Sequence, residues 1–141
     1  YLPYAVAHGG GQLSTDYTLN VASDTTVTQM LAAVSVTKKA GKGHIICDGG
    51  PLAGTTFNLS KSVGDGPFYF DGSGVPDKSL TATSSFGLAF IVNVDPGDYE
   101  VTFANSGKTC SLSSGWKGTS SSKTKVKVLA DAATLFTLSC K

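Results

Sequence analysis

Apolar and polar positions alternate with a period of two along much of the chain, the pattern of half-buried strands. Between Asp16 and Ala22, Tyr17, Leu19 and Val21 share one face and Thr18, Asn20 and Ala22 the other. The alternation returns at Thr55–Ser60 (Phe57, Leu59), at Asp98–Ala104 (Tyr99, Val101, Phe103) and at the last strand (Phe136, Leu138, Cys140). Val126 and Val128 lie opposite Lys125 and Lys127. His44-Ile45-Ile46-Cys47 is a short apolar strand closed by Asp48-Gly49-Gly50-Pro51. Phe86–Val94 is almost wholly apolar, which predicts a central strand covered on both faces. Asp95-Pro96-Gly97-Asp98 and Asp131-Ala132 are turns, and Asn105-Ser106-Gly107 leads into Thr109–Leu112 as a hairpin. Leu80–Thr83 is a further short strand. Gly64–Lys78 reads as a loop with Phe68-Tyr69-Phe70 inside it, and Ser113–Ser122 as a Ser/Gly loop carrying Trp116.

Residues 24–37 fit two periods. Val27, Met30, Leu31 and Val34 have helical spacing, and Thr26-x-x-Gln29 resembles a capping box. Val34 and Val36 with flanking Thr fit a strand, the preferred reading because a β-rich domain needs its edges paired. Seven to nine short strands with turns every eight to twelve residues predict an all-β fold, an antiparallel Greek-key β-sandwich. The N-terminus stands apart. Tyr1–Ala7 is apolar and extended, with Pro3 opposing a helix, and His8-Gly9-Gly10-Gly11 is a flexible joint. The organisation expected is an extended segment over 1–11 and one sandwich domain over 12–141.

Composition agrees with many turns and few helices: 17 Gly, 17 Ser and 16 Thr in 141 residues. All 11 cations are Lys, and the net charge is +1. Without Arg there is no bidentate phosphate recognition, so no nucleic acid is expected as a partner. No apolar run approaches the roughly 18 residues of a membrane span. Tyr1 in place of Met, with no basic segment ahead of it, suggests a mature exported product whose leader has been removed.

Candidate chemistry is sparse, and no enzyme is expected. No Ser sits in a G-x-S-x-G elbow, and His8 and His44 read as structural or surface residues. Glu100, the only Glu, should point outward from its strand, opposite Tyr99 and Val101. Asp65, Asp71 and Asp77 are weak calcium candidates, but Ala82 stands where a twelfth-position ligand would be. Turn-forming Asp is the plainer reading, and no metal or cofactor is expected. Trp116, Tyr69 and Phe70 are loop aromatics that either stack on a sugar or partner or plug the ends of the sandwich. Cys47, Cys110 and Cys140 form no CxxC pair. One disulfide and one odd cysteine is the simplest reading for an exported protein, and three buried thiols are the alternative.

Pro51-Leu52-Ala53-Gly54 opening Thr55–Leu59, then Phe86-Gly87-Leu88-Ala89-Phe90, then Val94-Asp95-Pro96-Gly97-Asp98-Tyr99 resemble the carboxypeptidase regulatory-like domains of the transthyretin-like sandwich group, related to Ig-like folds. In that family a PLAG turn opens a strand and a PPG-x-Y turn leads to the next; here Asp95 replaces one Pro. The resemblance covers roughly 44–140. It implies a noncatalytic exported module used for support, adhesion or ligand contact. It also implies a Cys110–Cys140 disulfide with Cys47 left over. Closing about 30 residues would add roughly 3–4 kcal/mol in the chain-entropy model.

The function expected is therefore an extracellular or cell-surface structural or adhesive protein, the subunit of a pilus-like fibre. Tyr1, Leu2, Tyr4 and Val6 would form a donor strand that completes the sheet of another copy or of another surface protein. The alternative is a carbohydrate- or ligand-binding accessory module resting on the aromatics.

Overall fold

The strand rhythm is realised as two packed sheets in the computed structural model, which describes residues 4–6 and 24–141. The described residues form β1 (Tyr4–Val6), α1 (Asp24–Ala33), β2 (Gly43–Asp48), β3 (Thr55–Leu59), β4 (Asp65–Phe70) and β5 (Pro76–Asp77). They continue with β6 (Leu88–Val94), β7 (Gly97–Asn105), β8 (Cys110–Ser114), β9 (Trp116–Lys117), β10 (Lys123–Val128) and β11 (Ala133–Cys140). The first sheet runs β1-β11-β2-β6-β4-β5, with β8 also on β11; the second runs β3-β7-β10-β9. The strand expected at 16–22 and His8 lie outside the described residues. No helix among the described residues is long and apolar enough to cross a membrane.

Alternation puts one apolar row of each sheet into the space between them. Ile45, Ile91, Phe136 and Leu138 from the first sheet meet Phe57, Val101, Phe103, Val126 and Val128 from the second. The Phe57 and Phe136 rings touch edge to face, with centroids 5.8 Å apart, a favoured aromatic geometry. β6 is the central strand its apolar run predicts, lying between β2 and β4 and almost fully buried. Ala89 and Ile91 face the sandwich core, whereas Phe90 and Val92 face the opposite way.

That second face explains the departure at 24–37. These residues form a helix over Asp24–Ala33, not a strand. The spacing of Val27, Met30, Leu31 and Val34 lays one stripe on Phe68, Phe70, Leu88, Phe90 and Val92. The helix is needed because β4 and β6 are apolar on both sides. It starts at Asp24, so Thr26 lies inside its first turn and is not the cap.

Other expectations shift as well. Phe68-Tyr69-Phe70 belongs to β4, not to a loop, and a register shift between Asp65 and Phe68 accommodates Pro67, which has no N–H to give a ladder. Leu80–Thr83 is not a strand; Thr83 instead pairs with the start of β3, donating to and accepting from Thr55. The sheets are not wholly antiparallel, since β11 runs parallel to β2 and to β1.

Asn93 ties the helix side together. It sits buried in β6 with φ +56°, and after it the alternation slips by one, returning Val94 to the core. Its amide donates to Thr37 O (3.0 Å) and Asp65 Oδ2 (2.8 Å) and accepts from the Lys39 N–H (2.9 Å). Cys110 and Cys140 are register partners joined by a disulfide, as the family resemblance implied, and Cys47 is a buried free thiol.

Phe136→Ala should cost about 3–5 kcal/mol, because it empties the centre of the sandwich; chemical denaturation measures the loss. Burial pushes the Cys47 thiol well above its ordinary pKa. Iodoacetamide at pH 8 should therefore leave Cys47 unmodified in the folded protein and label it in denaturant, as read by mass spectrometry.

Candidate functional site

Two places on the molecule gather unusual features: the outer edge of β11 and the outer face of the second sheet. β2 occupies one edge of β11 over Ala133–Thr137. On the other edge β8 follows only the C-terminal half, from Thr137 to Cys140, where the disulfide fastens it. β8 ends there because the chain crosses to the second sheet at Gly115 and continues as β9 on β10. The crossing is tight. A Cβ on Gly115 (φ +140°) would stand 3.0–3.1 Å from Leu112, Phe136 and Thr124.

The N-terminal half of that edge is consequently left to another strand. β1 takes it in parallel, with Tyr4, Ala5 and Val6 in register with Ala133, Thr134 and Leu135. Of the donor-strand residues, Tyr4 and Val6 thus lie on β11, while Tyr1 and Leu2 lie outside the described residues. Thr134 is buried beneath this stretch, and its hydroxyl donates to Lys127 O (2.6 Å), pinning β11 to β10.

On the second sheet, Tyr99 and Val101 face inward and Glu100 outward, as the alternation predicts. Cross-strand register sets Asp98 beside Lys127 and Glu100 beside Lys125. β9 adds Trp116 next to Lys125, and Ser60 closes the row by exchanging hydrogen bonds with the Glu100 backbone. One line across the sheet therefore reads Trp116, Lys125, Glu100, Ser60. Trp116 is 41% exposed. These residues, with Asp98, Thr119 and Lys127, line a groove of about 680 Å³.

Glu100 is held firmly within it. Its carboxylate accepts the Thr119 N–H (2.7 Å) and hydroxyl (3.0 Å), and Lys123 Nζ lies 3.6 Å away. The Thr119 N–H is the main reason the Glu100 carboxyl stays below the usual carboxylate range, with the Thr119 hydroxyl and Lys123 assisting.

The other aromatics singled out as ligand contacts do not join this groove. Tyr69 is buried, and its phenol oxygen accepts the Phe57 N–H (3.1 Å). Phe70 is buried under the helix, with its ring 5.2 Å from that of Phe90. The burial that makes them core residues removes them as stacking platforms.

The three Asp residues have separate tasks. Asp65 accepts from Asn93 and pairs with Lys39 at 3.8 Å. Asp71 caps its own turn through the Ser73 and Val75 N–H groups. Asp77 does the same through the hydroxyl and N–H of Ser79, which hold its carboxyl low. Among the described residues no three His, Cys, Asp or Glu side chains are grouped to hold a metal ion. The groove itself was visible in the sequence only as Lys123, Lys125 and Lys127 alternating on one strand and Asp98 and Glu100 on another. Their register could not be read from spacing.

A lowered folded-state pKa stabilises the folded form above the unfolded value near 4.3 and loses that stabilisation as pH falls through the lower folded value. The Thr119 amide should thus keep its protection from hydrogen exchange at about pH 4.5 and lose it progressively below. Glu100→Gln should flatten this dependence, as measured by amide exchange.

Compared with family models, curated proteins and solved structures, the chain gives no match.

Proposed function

We propose that the protein is a non-enzymatic structural subunit of an extracellular fibre, assembled when the N-terminal strand of one copy pairs with β11 of the next. The observation that carries this reading is the divided edge of β11. Residues 133–135 are paired by a three-residue strand joined to the rest of the fold through residues 7–23. That connection is 17 residues long and includes Gly9-Gly10-Gly11. It could reach about 55 Å when extended, nearly twice the length of a nine-residue strand.

A strand held by its backbone and tethered by such a joint is exchangeable with the same strand of a neighbour. Repeated head to tail, the exchange makes an open filament. Exposed apolar side chains lie at both ends of the sandwich, with Phe86 and Val75 near the start of β6 and Leu129 near the start of β2. They suit a contact between successive copies. The disulfide is compatible with an exported protein, and a carboxypeptidase regulatory-like ancestry of the sandwich belongs to the same proposal.

Light scattering and negative-stain microscopy of the full chain should show polymers, and removal of residues 1–11 should leave single sandwiches. Val6→Cys with Leu135→Cys, placed at register partners, should give a ladder of covalent multimers on a non-reducing gel. Only closed, internally linked monomers from the pair would show that β1 serves its own chain.

A further inference from the structure

The geometry points to a binding site for a neutral oligosaccharide on the outer face of the second sheet, with Trp116 as its stacking platform. The site is separate from the β11 edge and does not depend on assembly.

Three observations converge on this ligand class. The first is the setting of Trp116, the only Trp in the chain. It stands on a two-residue strand that is fixed on both sides. Thr124 Oγ1 donates to the Trp116 carbonyl (2.8 Å), and the Gly118 N–H donates to Lys123 O (3.1 Å). An exposed aromatic ring on a fixed backbone offers area for stacking with only two side-chain torsions to order.

The second is the sequence of groups beside the ring. Lys125 and Glu100 follow Trp116 on successive strands and Ser60, just past the end of β3, ends the row; at about 4.8 Å per step the row is about 14 Å long. An ammonium donates, a carboxylate accepts and a hydroxyl does both. Sugar hydroxyls also donate and accept, while the C–H face of a pyranose is apolar. A row that is aromatic at one end and mixed polar along its length matches a short chain of such rings better than one ring alone.

The third is charge. Lys125 is the register partner of Glu100 and Lys127 that of Asp98, and with Lys123 beside Glu100 at the rim the groove is left with a surplus of only one cation. Neither an anion nor a cation gains much from a field of this kind, and a neutral polar ligand loses nothing to it. The volume of about 680 Å³ is within the range of small-ligand sites, and the lining joins apolar surface from Trp116, Tyr99 and Val126 to the polar groups of the row.

The test is a titration of the full-length protein with cellohexaose, xylohexaose and mannohexaose, with a heparin hexasaccharide as the anionic comparison. The single Trp makes its emission a direct report from the groove. At least one neutral hexasaccharide should shift or quench the emission saturably below about 10 mM, a weak single-site affinity. Lys125→Ala should weaken that binding at least tenfold while leaving thermal unfolding unchanged. Trp116→Ala, followed by calorimetry, should abolish it. The proposal fails if no neutral hexasaccharide changes the emission. It also fails if Lys125→Ala and Trp116→Ala both bind as the parent does, or if only the heparin fragment binds.

Discussion

β11 cannot close its own sheet, and much of the molecule follows from that. Its inner edge is paired in parallel with β2, which directs both strands into one core. Its outer edge begins to be closed by β8, but β8 must leave at Gly115 so that the chain can build the edge of the opposite sheet. Unpaired strand edges leave backbone donors and acceptors to be satisfied from elsewhere. The same departure that opens the β11 edge for β1 delivers Trp116 to the face of the second sheet. The two candidate functional features are therefore products of one crossing.

Much of the sandwich was legible in the sequence because alternation is a strong local signal. Tyr99, Val101 and Phe103 face inward and Glu100 outward as the period of two requires. Phe86–Val94 announced a strand buried on both faces, and β6 is one. The identity of its second cover was not legible. Val34 belongs both to the helical set with Val27, Met30 and Leu31 and to the alternating pair with Val36, and what decides between them is the apolar outer face of β4 and β6, a property of the assembled sheet. Phe68-Tyr69-Phe70 was hidden for a related reason. The Gly, Pro and Asp around it look like loop residues, while pairing with Ala89 and Phe90 makes it a strand.

The candidate sites were legible to different degrees. Trp116 and the apolar N-terminal segment were both recognisable from the residues. Glu100 as a groove residue was not, since its interest comes from Lys125 across the strand pair and from Thr119, nineteen residues away, donating to its carboxylate. Tyr69 and Phe70 share the chemistry of Trp116 but not its position, because neighbours on adjacent strands decide which aromatic remains in solvent. The Cys110–Cys140 disulfide was implied by the family resemblance and not by the residues alone; its structural basis is that the two cysteines are register partners on β8 and β11.

The parallel sense of β1 on β11 has a mechanical meaning. A pull toward residues before Tyr4, opposed by a pull beyond Cys140, acts along both strands in opposite directions. Their hydrogen bonds are then loaded together in shear and do not open one at a time. Should the sandwich yield, the Cys110–Cys140 bond keeps the 30-residue span between its ends from extending. About 100 Å of chain is thereby withheld from any stretch, so the fold combines a shear-loaded strand with a fixed limit on how far it can be drawn out.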